Sequence, residues 1–300
     1  MKMKIKKIAA LMLAILTLAP GTILADVVMG DSIVSLGADL SGDEKQRMLK
    51  EFGAGEDVLT IEVTNEEEHK YLGEIIPAGK IGHRALSSSM ITYTEKGSGI
   101  KVDISENINY ITEENYRNAL VTAGVTDAHV KVSAPLSVTG TAALTGIMKA
   151  YETSTGKKIP DEVKEIANEE MIVSAGLETD IGKEKTNDLM NALKVQFAKN
   201  MPENKEEIRG MIQNISNEYN INITDNQLDE LTVFFNKLKN VDVDWDKIAE
   251  EASKYSEIAK EYSQKAIDYL SSEDGQQTLE KSKGWFAKFI DWLKDFFANL

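Results

Sequence analysis

The sequence predicts an α+β protein: a mixed α/β domain over residues 26–155, then an all-helical domain over residues 156–300, behind a leader of residues 1–25. Three observations carry this. Up to Thr155 the apolar period switches between two residues and three to four, so strands and helices alternate. Beyond Pro160 only the helical period remains. Between the two lies TSTGKKIPD, a polar stretch with a glycine, closed by a proline suited to a helix start.

Taken in order, DSIVSLGADL reads as a strand running into a turn, and Ser41 with Glu44 forms a capping box for a helix to Phe52. VLTIEVT alternates as a strand, and Thr64 with Glu67 opens the helix EEEHKYLGEII. SSSMITYTEKGSGIKVDI reads as a β-hairpin turning at Lys96-Gly97-Ser98-Gly99. Thr112 caps ENYRNALVTAG, whose glycine ends it, and AHVKVSA is a further strand. APLSVTGTAALTGIMKAYE begins with a proline corner and becomes an Ala-rich helix from about Gly140. The helical domain divides at about 161–175, 183–200, 203–219, 225–240 and 244–271, with a final helix after Ser282, and Thr224 with Gln227 supplies a third capping box.

In the 244–271 segment, Trp245, Ile248, Ala252, Tyr255, Ala259, Tyr262, Ala266 and Tyr269 recur at spacings of three and four. This Ala/Tyr seam over 245–269 suits packing inside the chain's own bundle, with helix–helix self-association as the other use of such a stripe.

The leader places Lys2, Lys4, Lys6 and Lys7 before an apolar run from Ile8 to Leu18, then Pro20, Gly21 and Ala25 before Asp26. That is the layout of a cleaved secretory signal peptide, too short to span a bilayer. Ile23 is an unusual residue just before the cut, which leaves an uncleaved anchor as the alternative. The leader holds four of the 34 basic residues and none of the 49 acidic ones; the remainder carries 30 against 49, a formal charge of −19. Such a field excludes nucleic acid as a partner. The chain has no cysteine, which excludes thiol catalysis, thiolate metal sites and a lipidated cysteine. No sorting-signal tail is read after the last helix.

No motif carries chemistry. His69, His83 and His129 show no metal-ligand spacing. Asp242, Asp244 and Asp246 imitate a calcium loop, but Lys247 stands in place of its glycine and Ser253 in place of its last glutamate. Ser98 and Lys101 match S-x-x-K across a turn rather than on a helix. Gly156-Lys157 has Tyr151 where a phosphate loop needs glycine. The expectation is therefore no catalytic residue, no cofactor and no metal.

Six phrases carry a resemblance: GDSIVSLGADLS (30–41), TNEEEHKYLG (64–73), SSSMIT (87–92), KGSGI (96–100), NALVTAGV (118–125) and APLSVTGTAALTG (134–146). Together they resemble the exported Gram-positive proteins of the domain of unknown function 1002 family, the YpuA-like proteins, over nearly the whole mature chain. The resemblance implies an extracytoplasmic location. It implies no activity and brings no catalytic residues.

The last stretch, GWFAKFIDWLKDFFANL, is apolar in a chain with 7% aromatic residues. On a helix, Trp285, Phe286, Phe289, Ile290, Trp292, Leu293, Phe296, Phe297 and Leu300 share an arc of roughly 160°. Such a helix closes the protein's own core, lies on a membrane surface, or fills a partner's groove; a polar segment at 271–283 would serve it as a hinge. The leading expectation is an exported, non-enzymatic cell-envelope protein that binds or scaffolds. The alternative is an envelope-polymer hydrolase whose Asp/Glu carboxylates assemble only in the fold, and a third reading is a cation-responsive acidic protein.

Overall fold

The computed structural model describes residues 28–73, 75 and 81–257, and beyond these residues 260, 261, 264 and 268. The leader, the seam residues Ala259, Tyr262, Ala266 and Tyr269, the 271–283 segment and the aromatic stretch with Trp285, Phe286, Phe289, Trp292, Leu293, Phe296 and Phe297 lie outside the described residues.

The elements run β1 (Ser32–Gly37), α1 (Gly42–Phe52), β2 (Leu59–Val63), α2 (Asn65–Leu72), β3 (Ser88–Tyr93), β4 (Ile100–Ile104), α3 (Glu113–Thr122), β5 (Ala128–Ser133) and α4 (Thr141–Thr155). Helices α5 (Asp161–Ile181), α6 (Lys183–Lys199), α7 (Lys205–Glu218), α8 (Asp225–Leu238) and α9 (Trp245–Lys254) follow. The fold is α+β. Its starts are set where local chemistry demands: the Ser41/Glu44, Thr64/Glu67 and Thr224/Gln227 boxes all close reciprocally, and the Thr112 hydroxyl caps α3.

The five strands form one mixed sheet in the order β2-β1-β3-β5-β4. β1 pairs parallel with β2 and antiparallel with β3; β5 pairs antiparallel with β3 and parallel with β4. The expected β3–β4 hairpin is therefore wrong: β5 lies between its two arms. The glycine turn exists, but it wraps Asp127, whose carboxylate accepts the amide protons of Gly97 and Gly99 at 2.8 and 3.1 Å. Strand burial explains the order. β5 buries Ala128, Val130 and Val132, which suits the interior, whereas β4 leaves Lys101 exposed at the edge.

One sheet face, with Ile33, Ile91, Val102, Val130 and Val132, packs under α3 and α4 in the largest core cluster. The other face places Val34, Leu36 and Met90 against Met48 and Phe52 of α1. α5 is a shared wall: Val163, Ala167 and Met171 join the sheet-side cluster, while Ile166, Val173 and Leu177 join the bundle core of Leu193, Phe197, Ile212, Leu231 and Phe235. It continues to Ile181, six residues past the expected end at 175, and stops at Gly182 with φ +86°.

A fully buried ion pair ties these regions. Lys194 of α6 meets Glu170 of α5, the Thr122 hydroxyl donates to Glu170 at 2.5 Å, and the Lys194 ammonium donates to the Asn118 carbonyl at 3.0 Å. Burial pushes the Lys194 pKa down and the Glu170 pKa up, against their mutual attraction.

The first half of the Ala/Tyr seam packs within the chain. Ile248 and Ala252 are buried, and the Trp245 ring stacks on Phe197 at 5.8 Å. The helix predicted over 244–271 is interrupted at Tyr255 and Ser256. There Asn187 donates to the Tyr255 carbonyl at 2.8 Å and Ser256 donates to Asp188 at 2.7 Å, so the break is bonded to α6, while the Ser256 carbonyl accepts the Lys260 amide proton at 3.0 Å.

Candidate functional site

At the carboxyl end of β1, a cleft of about 360 Å³ opens between α2, the 81–87 loop and the start of α4. The residues around it follow from local backbone needs. Gly37 ends β1 hard against the Ala85 carbonyl, where any Cβ would collide, and its amide donates to the Ser88 hydroxyl at 3.1 Å. Two residues on, the Asp39 carboxylate accepts the Ala85 amide proton at 2.7 Å. These two contacts hold the 81–87 loop as one wall. His69 fixes its other end through Nε2, which donates to the Gly82 carbonyl at 3.1 Å.

The opposite wall is the corner before α4. Gly140 sits at φ +98°, and a Cβ there would meet the Tyr116 hydroxyl at 2.5 Å and Ile108 at 2.7 Å. The buried Tyr116 hydroxyl donates to the Gly140 carbonyl at 2.5 Å and pins the corner. As N-cap, Gly140 brings no side chain, so the first amides of α4 receive no side-chain cap at the end where the helix dipole is positive.

Between these walls lies Glu68, 1% exposed. The Thr141 hydroxyl donates to Oε1 at 2.5 Å, and Asn65 reaches Oε2 only at 3.3 Å. Burial raises its pKa to about 7, opposed by these two hydrogen bonds and by His69. Apolar lining comes from Ile81, Leu86, Leu136, Val138 and Ala142, while His83 and Arg84 are exposed on the rim. Among the described residues of that lining, Glu68 is the only one with a carboxyl group.

A larger hollow of about 720 Å³ occupies the opposite end of β1 and β2, but its carboxylates, Asp31, Glu56 and Asp57, are all solvent-exposed. Glu178, beside Glu114, also has a pKa raised to about 7, mainly by burial, yet neither residue lines the Glu68 cleft.

The residues weighed from sequence do not converge. His69 anchors a loop, His83 stands at the cleft mouth, and His129 bonds Asp103 at 2.6 Å on the far part of the sheet. Asp244 is the N-cap of α9, accepting the Lys247 amide proton at 3.0 Å. Ser98 bonds Thr94 in its turn, while Lys101 pairs with Asp103 on β4. Among the described residues no group of three or more His, Cys, Asp or Glu could hold a metal ion. Among them, too, no helix is long and apolar enough to cross a membrane.

Sequence reasoning passed over Glu68 as one of three glutamates opening a helix. The signal was present: it lies three and four residues before Tyr71 and Leu72, on the apolar face, where a carboxyl must be buried. Asp39 gave no such signal, because its partner is a backbone amide 46 residues away.

Four of the six phrases quoted above meet at this cleft: 64–73 through Glu68, 87–92 through Ser87, 134–146 through Leu136 to Ala142, and 30–41 through Gly37 and Asp39. The uncharacterized protein YpuA of Bacillus subtilis (strain 168) is 42% identical over 296 residues, covering 97% of this chain and 99% of that protein. No solved structure matches. The family described as "Protein of unknown function (DUF1002)" matches residues 36–255, and the chain belongs to it.

Proposed function

We propose that this is an exported cell-envelope protein that works by binding rather than by chemistry, with the cleft over Glu68 as its ligand site. The binding reading rests on one observation: among its described lining residues the cleft holds a single carboxyl, that of Glu68, between polar residues and apolar walls. Hydrolysis of a glycosidic polymer needs two carboxyls roughly 5–9.5 Å apart across the bond to be cut. Export rests on the basic, apolar and small-residue order of residues 1–25. The aromatic stretch from Trp285 to Phe297 supplies the contact with a membrane surface or a protein.

Two experiments test this. Intact mass of the full-length gene product recovered outside the cytoplasm should show loss of residues 1–25, and an unprocessed cytoplasmic chain would overturn export. Flotation with neutral and anionic liposomes, comparing the chain with a form ending at Lys281, should lift only the complete one. If neither floats, the membrane contact is wrong and a protein partner takes its place.

A further inference from the structure

Resting on that reading of the cleft, we propose that its ligand is a small carboxylic acid with an apolar tail, its carboxylate hydrogen-bonded to the Glu68 carboxyl. The volume of about 360 Å³ fits a small molecule. Ile81, Leu86 and Val138 give the tail a wall, and Leu136, 42% exposed, stands ready at the mouth to cover it.

The polar end is decided by counting donors. Thr141 and Ala142, at an α4 start with no side-chain cap, line the cleft together with Ser87 and with Thr139, whose hydroxyl donates to the Thr141 hydroxyl oxygen at 3.2 Å. Arg84 and His83 add donors on the rim. Set against these is one carboxyl group among the described lining residues, and its Oε1 already takes the Thr141 hydroxyl. An ammonium ligand would find the remaining Glu68 oxygen but would face the positive end of α4 and the Arg84 guanidinium. A carboxylate finds donors on both sides, provided Glu68 carries its proton on Oε2, the oxygen with only the long Asn65 contact. The Glu68 O–H then donates to the ligand, a short charge-assisted hydrogen bond.

This makes binding proton-linked. The groups facing Glu68 are His69 on its own helix, Tyr116 from α3, and His83 and Arg84 from the loop. From α5, packed behind α2, Asp161 is engaged by Lys70 and Tyr71, and Lys164 by Glu152. Burial and the nearby Glu68 charge raise the Tyr116 pKa, so it stays neutral across the range, and Glu68 with its pKa near 7 supplies the switch. The cleft loses its proton, and its ligand, as pH rises through that value.

The test is calorimetric titration of the full chain with hexanoate, hexylamine and hexanol at pH 6 and pH 8. Hexanoate should bind about tenfold more weakly at pH 8. Glu68→Gln should hold the pH 6 affinity at both values, and His83→Gln should leave the wild-type slope. Leu136→Glu, at an exposed position that folding does not depend on, should weaken hexanoate at both. Hexylamine binding tighter, and tightening with pH, would overturn the carboxylate inference while leaving the cleft as a ligand site. If Leu136→Glu changes the binding of none of the three probes, the cleft reading itself falls.

Discussion

The Tyr255 hydroxyl accepts the amide proton of Ile100 at 2.6 Å across 155 residues of chain, tying the end of α9 to the start of β4. Arg117 lies over the Tyr255 ring at 4.6 Å, and Glu251 accepts from the same hydroxyl at 3.3 Å. The end of α9 is therefore fixed at one place, beside the sheet edge.

Tyr255→Phe strands the Ile100 amide and should lower stability by about 1–2 kcal/mol. Gly99→Ala should cost more, because Gly99 has φ +73° and a Cβ would strike the Tyr255 hydroxyl. Urea midpoints of the two variants check the order; equal values would show that Tyr255 is not seated as described.

The Lys194–Glu170 pair predicts strong non-additivity. Lys194→Met leaves a carboxyl buried without its counter-charge and should cost about 3–5 kcal/mol. Adding Glu170→Leu should recover half or more of that loss, although Thr122 then lacks its acceptor. A double-mutant cycle by chemical unfolding measures this. Simple addition of the two losses would refute the coupling.

Glu68 predicts a pH slope. Its folded pKa of about 7 lies above the unfolded value of 4.5, so the folded state holds the proton more tightly. Stability from this group is full below about pH 4.5 and is lost as pH rises through 7, an effect of about 2 kcal/mol between pH 5 and pH 8. Glu178 slopes the same way and is present in both proteins, so the difference between wild type and Glu68→Gln isolates Glu68. The variant should be the more stable protein at pH 8.

Gly140→Ala should destabilise by at least about 2 kcal/mol, through a left-handed backbone and a clash with Tyr116 and Ile108. Pairing it with Tyr116→Phe should not rescue it, since the backbone strain and the Ile108 contact remain. A full rescue would locate the whole penalty in the hydroxyl contact.

What the sequence made legible was what is chemically local. The three capping boxes and Thr112 act over three residues, and each falls where its spacing says. The β3–β4 hairpin failed because a glycine turn specifies a reversal, not which strand fills the gap; that depends on Val130 and Val132 outcompeting an edge strand with exposed Lys101. The break at Tyr255 was hidden for the same reason, since Asn187 and Asp188 lie about 68 residues away in sequence. The cleft was half-legible: its Gly140 and proline corner was read, while Glu68 was hidden among neighbouring glutamates.

The strand order also sets a timetable. β3 and β4 leave the ribosome before β5, the strand that must lie between them. Until Ser133 has emerged, β3 carries an unpaired edge and β4 has no neighbour at all. Residues 28–127 are thus an unfinished sheet during synthesis, with the facing edges of β3 and β4 open until β5 fills the gap between them.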